Sequence, residues 1–295
     1  MTAYFLLSLS ILSAAANNLL LHKFGNRGLD GLSGALLFNA AVSGVWIALL
    51  GAAAALTGGL AFDAASVQWG MLYGGVTAAF LLFKMQAMAS GPVSLTSFIG
   101  CASLLISTGF GVFVLGEAAS AAQAAGVALL MIALFLIISP KSDQATRTWK
   151  LWCAGFFVCS AAVGIIFKLH QRSDSAAKIS EMMLAAALTS AVVFIAAAFA
   201  ASGRRRLPAL PAGAWPFILG SGLFGCGYIR LNIFLAGRLP SVVFYPTFNG
   251  AVILLSTLCG LLLFRERLRA RQTIGMIAGI AALLLASGAF DSFFA

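Results

Sequence analysis

Charge is what this sequence lacks most. Asp, Glu, Lys and Arg together make up 9% of its 295 residues, against about a quarter in an ordinary soluble domain. That scarcity excludes a soluble enzyme and a disordered chain. Acidic side chains number 8, and none falls in the middle of an apolar run. There are 2 histidines and 5 cysteines, with no CxxC spacing and no His/Cys cluster, so no metal centre is expected. Cys101, Cys153, Cys159, Cys226 and Cys259 all lie inside apolar runs, where free thiols pack as small hydrophobes. Catalytic signatures are missing as well: HExxH, GxSxG and GxxxxGK[ST] are absent. An enzyme or a cofactor-binding protein is therefore not expected.

What is abundant is apolar surface, at 61% of residues with a mean hydropathy of +1.02. The net charge of +10 would suit nucleic acid, but the positive residues form short clusters between long apolar runs. The bilayer is the expected partner, not nucleic acid. A spanning helix needs about 20 mostly apolar residues. Ten such runs are present, at about 2–21, 33–56, 67–89, 92–115, 119–139, 151–170, 179–202, 213–236, 241–264 and 272–290. The first has no basic segment before it and reads as a retained span. Trp69, Trp149, Trp152 and Trp215 fall at span starts, where amphipathic rings favour the headgroup layer.

The two halves repeat. A shift of 146 residues aligns Trp69 with Trp215, Gly74 with Gly220, Lys84 with Arg230, Gln86 with Asn232 and Gly91 with Gly237. After a short insertion, a shift of 149 aligns Gly111 with Gly260, Glu117 with Glu266, Gln123 with Gln272 and Gly126 with Gly275. Five spans per copy is an odd number, so the second copy enters the membrane from the opposite side. The expected fold is an all-α membrane protein of ten transmembrane helices, arranged as two inverted five-helix repeats, 1–145 and 146–295. Secondary transporters commonly have this design, with a solute site near the midplane. Of the 18 Lys and Arg residues, twelve belong to the loops after spans 1, 3, 5, 7 and 9, four to the other loops, and Lys84 and Arg230 to spans. The positive-inside rule places the first set in the cytoplasm and both termini outside.

Two polar stripes stand out. Tyr245, Asn249, Val252 and Ser256 share one face of span 9, and Thr96, Gly100, Ser103 and Ser107 share one face of span 4. Such stripes either line a water-filled cavity or bond backbone carbonyls in close helix packing. Their presence in both copies favours the cavity, and Pro246 frees carbonyls near the start of span 9. Lys84 and Arg230 either snorkel to the headgroups or line vestibules that meet an anionic or zwitterionic solute. Tyr73 and Thr77 share the face of Lys84. Asn17 and Asn18 suit interhelical hydrogen bonds, with solute contact as the second reading. His22 and His170, at the exits of spans 1 and 6, read as interfacial. Glu117 and Glu266 follow spans 4 and 9, and a negative charge there suits the start of the next helix. With no carboxylate at mid-span, coupling through a membrane carboxylate is disfavoured. The GxxxG matches Gly70–Gly74 and Gly275–Gly279 read as close helix contacts.

These features resemble the EamA branch of the drug/metabolite transporter superfamily. The residues carrying the resemblance are Gly91-Pro92-Val93-Ser94, Leu115-Gly116-Glu117, Gln123 and Gly126, then Gly237, Pro240-Ser241, Glu266, Gln272 and Gly275. The resemblance implies a carrier of small polar or amphipathic metabolites in a bacterial inner membrane. It also implies an exporter, working as monomer or homodimer, with a cavity lined by spans 1, 3, 4, 6, 8 and 9. A lipid or lipid-linked precursor flippase of the same design is the alternative. Many relatives keep both termini in the cytoplasm, whereas the charge count here puts them outside. Arg265-Glu266-Arg267 departs from a Gly-Glu pair. The first span offers Asn17 and Asn18 where the related four-span multidrug carriers use a membrane Glu, so their proton-coupled drug expulsion does not carry over.

Overall fold

In a bilayer every backbone N–H and C=O must find a partner within the chain, so apolar runs of this length fold as helices. The computed structural model describes residues 2–24, 29–91, 93–138, 147–203, 206–263 and 270–286. No strand occurs among them. The helices are α1 (Thr2–Phe24), α2 (Gly31–Thr57), α3 (Ala64–Ser90), α4 (Val93–Ala102), α5 (Leu104–Gly109), α6 (Ala121–Ile138), α7 (Arg147–Gln171), α8 (Ile179–Ala201), α9 (Trp215–Ala236), α10 (Ser241–Leu263) and α11 (Ala270–Ala286). Eight helical stretches are long and apolar enough to cross a membrane, which are the features of an integral membrane protein. Their outer faces carry large apolar side chains, such as Phe113 at 88% exposure and Phe5 at 70%. Patches of that kind mark contact with lipid rather than water.

Two expected spans fall short of that length. Ala121–Ile137 and Ala270–Ala286 are apolar but shorter, reaching about 26 Å at 1.5 Å per residue against a core of about 30 Å. The remainder of those two runs, 139 and 287–290, lies outside the described residues. The expected fourth span is not one regular helix. It is α4, α5 and a π-helical turn over Phe110–Val114 in succession. At the first break the Ser103 hydroxyl donates to the Gly100 carbonyl at 2.7 Å, a local bond that competes with the helix ladder. The segment ends at Gly116, whose φ of 68° requires the left-handed region. Ser120 and Gln123 then open α6 with a reciprocal capping box: each backbone N–H donates to the other's side-chain oxygen at 3.1 Å.

The chain forms two compact units. The first comprises Met1–Ile11, Ala79–Lys168 and Leu235–Ala295, the second Leu12–Ala78 and Leu169–Phe234. In the first, α6 and α11 make the most extensive pairing. A Cβ on Gly126, near the start of α6, would lie 2.5 Å from the Ala286 nitrogen, 2.9 Å from Leu285 Cβ and 3.0 Å from the Ala282 oxygen. A Cβ on Gly275, near the start of α11, would lie 2.9 Å from each of the Ala133 oxygen, Leu136 Cβ and Ile137 Cγ1. The two helices are therefore antiparallel, with backbones in direct contact. The contacts are also reciprocal: a 149-residue shift turns Gly126, Ala133, Leu136 and Ile137 into Gly275, Ala282, Leu285 and Ala286.

In the second unit the dominant pair is α2 with α8. The buried hydroxyls of Ser43 and Ser190, 147 residues apart, share a hydrogen bond of 3.1 Å across it. Gly70 and Gly74 let α3 rest on the α8 backbone. Their Cβ positions would lie 2.5 Å from the Met182 oxygen and 2.4 Å from the Ala186 oxygen. At one end Phe38 and Phe217 stack on Phe24, with centroids 5.0 and 5.1 Å away.

Candidate functional site

In the first unit the expected polar face of span 4 is fully occupied by α7. The Trp149 indole N–H donates to Thr96 Oγ1 at 3.0 Å, and Cys153 Sγ lies 3.8 Å from the same oxygen. One turn on, Gly100 leaves room for the Phe156 ring, whose Cζ lies 2.5 Å from where a Cβ would stand. Ser103 and Ser160 share a hydrogen bond of 2.6 Å. Ser107 donates to the Ala161 carbonyl at 3.0 Å. Thr96 and Ser103, expected to line a cavity, face α7 in this structure. The 3–4 spacing identifies a shared face, but that face is a helix seam with every hydroxyl matched inside the protein. Trp149 is corrected with it: the ring is buried at 4% exposure and is not lipid-facing. Trp215 is exposed as expected, and Trp152 is half-buried.

The span 9 stripe divides. The Tyr245 hydroxyl donates to the Gly164 carbonyl of α7 at 2.6 Å, so Tyr245 belongs to the same seam. Gly164 is the point where α5, α7 and α10 meet, because a Cβ there would lie 2.5 Å from Ser107 Oγ and 3.2 Å from Tyr245 Cε1. Asn249 is half-buried, and its Nδ2 donates to the Tyr245 carbonyl at 2.9 Å. Ser256, with Thr108 and Thr247, presents a buried hydroxyl that has no hydrogen-bond partner among the described residues. A buried hydroxyl left unmatched costs about 1–3 kcal/mol, so these are positions that favour water or a polar solute.

Lys84 is half-buried on α3, with its Nζ 5.9 Å from the centroid of the Phe80 ring. Among the described residues no carboxylate pairs with it. Phe80 in turn packs on Phe156, with centroids 5.1 Å apart. A cation held that way interacts with ring faces and keeps its donors available for an anion.

In the second unit the expected residues are more often structural. Asn17 accepts a buried hydrogen bond of 2.6 Å from Ser221, in line with the interhelical reading. Asn18 is exposed. Tyr73 is buried at 2% exposure. Thr77 is half-buried one turn along the same helix. Arg230 is exposed and donates to Ser180 Oγ. The pair Lys84 and Arg230, equivalent by sequence shift, therefore have different environments. His22 is exposed as an interfacial residue would be. His170 is not interfacial: it is fully buried, edge-on to Trp69 at 6.4 Å, with its Nδ1 3.2 Å from the Gln171 amide.

Two charged groups outside the spans organise loop ends. Asp63 caps α3 through the Ser66 N–H at 2.8 Å and lies 3.2 Å from both the Ser175 hydroxyl and Lys178 Nζ. The Ser66 hydrogen bonds, with Lys178 beside them, hold its carboxyl well below the usual carboxylate range. Glu117 does not begin α6, as expected for it, because Ser120 caps that helix. Its Oε1 instead accepts from Lys168 Nζ at 2.7 Å, and its Oε2 accepts the Ser241 backbone N–H at the start of α10. Lys168 also donates to the Leu239 carbonyl at 2.7 Å. Burial alone would raise the Glu117 carboxyl, but the bonds from Lys168 and Ser241 leave it below the ordinary value. Lys168 stands two residues before His170 at the end of span 6, and no local pattern joins it to Glu117, 51 residues away. Glu266, its equivalent, lies outside the described residues.

No protein-family model matches the chain, and no curated protein matches it. One solved chain, described only as a protein crystal structure, superposes with a TM-score of 0.77 over 100% of this chain and 99% of its own, at 15% identity. At that identity the likeness concerns the fold alone.

Proposed function

We propose that this chain is a ten-span secondary carrier of the EamA type, two inverted five-helix repeats moving a small anionic or zwitterionic solute by alternating access. The observation that carries the proposal is the reciprocal, antiparallel packing of α6 on α11. Two equivalent elements that touch through equivalent residues lie about a local two-fold axis. Antiparallel partners require that axis to lie across the helices, which is the relation between inverted copies. The next most extensive pair, α2 with α8, also joins equivalents five spans apart, and so does the smaller contact of α5 with α10. Helix ends agree too. Glu117, Lys168 and Leu239 belong to connections after spans 4, 6 and 8, and Asp63 and Lys178 to those after spans 2 and 6. Arg271, after span 9, donates to the Phe135 carbonyl near the end of span 5 at 3.0 Å. Even connections meet even ones, and odd meet odd, as strict alternation across a membrane requires.

Lys84 carries the solute-class part of the proposal, with Asn249 and Ser256 as further polar contacts. The direction is export from a bacterial inner membrane. The test is a thermal-shift screen of purified protein against amino acids, organic acids, phosphate esters, nucleosides and quaternary amines, followed by proteoliposome flux of the hit. A ligand that binds the native state raises its stability by mass action. The expected hit bears a carboxylate or phosphate. Lys84→Ala is expected to weaken its apparent affinity roughly 10- to 150-fold, the worth of one hydrogen bond to a charged group, while Arg230→Ala stays within about twofold because its exposed side chain is spent on Ser180. A quaternary-amine hit, with Lys84→Ala neutral, removes the anion proposal. Scrambling of a labelled lipid by the same vesicles would favour the flippase instead.

A further inference from the structure

We propose that Glu117 and Lys168 form a state-dependent clamp, a pair of positioning residues that fastens the even-numbered loop face and releases once in each transport cycle. This rests on the carrier reading above. Glu117 belongs to the first sequence half, whereas Lys168, Leu239 and Ser241 belong to the second. Four groups converge: the Glu117 carboxylate joins Lys168 Nζ at 2.7 Å and the Ser241 N–H, and Lys168 continues to the Leu239 carbonyl at 2.7 Å. The end of span 4, the end of span 6 and the start of span 9 are thereby tied at one point. The approach is tight, because a Cβ on Gly111 would lie 2.1 Å from Ser241 Oγ and 2.7 Å from Glu117 Oε2. If the halves rock against each other, a contact between them at one membrane face must part in one state.

The chemistry of the contact suits parting. The side chains of Lys168 and Glu117 are only 4% and 12% exposed. A buried ion pair roughly breaks even against its two ions separately hydrated, because desolvation offsets the attraction. When the face opens, water replaces the lost partners, and neither state is heavily favoured. The α6–α11 seam differs: backbone meets backbone at Gly126 and Gly275, and its polar contacts, from Arg271 and Gln272 to the Phe135 and Ile137 carbonyls, lie at one end. Polar clamp and glycine seam thus divide the first unit into a part that opens and a part that holds.

Maleimide labelling tests this in reconstituted vesicles, using a membrane-impermeant sulfonated maleimide and Ser241→Cys as reporter. Ser241 is fully buried in the clamped state. Ser43→Cys, an isosteric change in the α2–α8 pair, reports loss of fold, and protein without either reporter gives the background from native thiols. Glu117→Gln keeps the volume and the acceptor for the Ser241 N–H while removing the charge. The expected result is at least a tenfold faster labelling of Ser241→Cys in Glu117→Gln and in Lys168→Gln, with Ser43→Cys unlabelled. Lys168→Arg, which keeps the charge and a donor for the Leu239 carbonyl, should return the rate towards that of the parent. Equal rates with and without the charge overturn the clamp. Labelling of both reporters also overturns it, since the pair then only holds the fold together. A protein that shows the expected labelling but moves no tested solute keeps the clamp's opening and sinks the carrier reading. Normal flux with unchanged labelling does the reverse.

Discussion

Gly126→Val and Gly275→Val should each destabilise the protein by about 3 kcal/mol, the upper part of the usual range for overpacking, and by nearly equal amounts. At both positions the obstruction includes backbone of the facing helix, the Ala286 nitrogen and Ala282 oxygen in one case and the Ala133 oxygen in the other. Backbone cannot rotate away as a side-chain tip can, so α6 and α11 must separate along their contact. Separation forfeits the packing of Leu130, Ala133, Leu134, Ala282 and Ala286, all fully buried. Because the first substitution already parts the helices, the double variant should cost well under the sum of the two. Thermal unfolding in detergent measures all three. One silent substitution, or strict additivity, would show that the reciprocal contact does not hold the pair.

Lys168→Met should show a pH response of opposite sign to that of the parent. Removing one partner of a buried pair costs about 3–5 kcal/mol. The lower figure applies here, because Glu117 keeps the Ser241 N–H and some exposure. In the parent, Glu117 titrates below the ordinary glutamate value of about 4.3. Its contribution to stability is complete above that value and is lost as pH falls through the lower, folded one. In Lys168→Met only the Ser241 bonds still lower the carboxyl, and we expect burial, the largest single influence on it, to outweigh them. The native state then gains a proton more readily than the unfolded chain. Lowering the pH from 7 to 5 should therefore recover part of the lost stability in the variant and leave the parent unchanged. A variant whose unfolding midpoint falls between pH 7 and 5 would show that Lys168 is not what holds the Glu117 carboxyl down.

Much of the helix pattern could be read from the sequence, because lipid demands long apolar helices and punctuates them with glycine, proline and charge. What apolar runs do not reveal is which face meets protein. Thr96, Gly100, Ser103 and Ser107 form one stripe by their spacing, but periodicity names a face without naming its neighbour. Only packing shows that Trp149, Phe156 and Ser160 fill it. The matching positions of Gly126 and Gly275 are legible in the sequence, whereas their reciprocal contact is not. Lys84 and Arg230 align by sequence yet differ in surroundings, since Ser180 stands beside one and Phe80 beside the other. The break at Ser103 and the π-helical turn before Leu115 leave no mark on hydropathy, because their residues are as apolar as a regular helix requires. The Glu117–Lys168 pair joins residues 51 apart, a separation that no local pattern spans.

The sidedness of the two corresponding loops bears most directly on the inverted design. Ala61 lies between α2 and α3, and Arg206 lies in the matching connection between α8 and α9. Single cysteines at these two exposed positions can be probed with an impermeant maleimide added to sealed, right-side-out vesicles. Copies of opposite orientation predict that Ala61→Cys reacts from outside while Arg206→Cys reacts only after the membrane is permeabilised. If both react from the same face, the halves are parallel, and the alternating-access carrier built on their inversion is wrong.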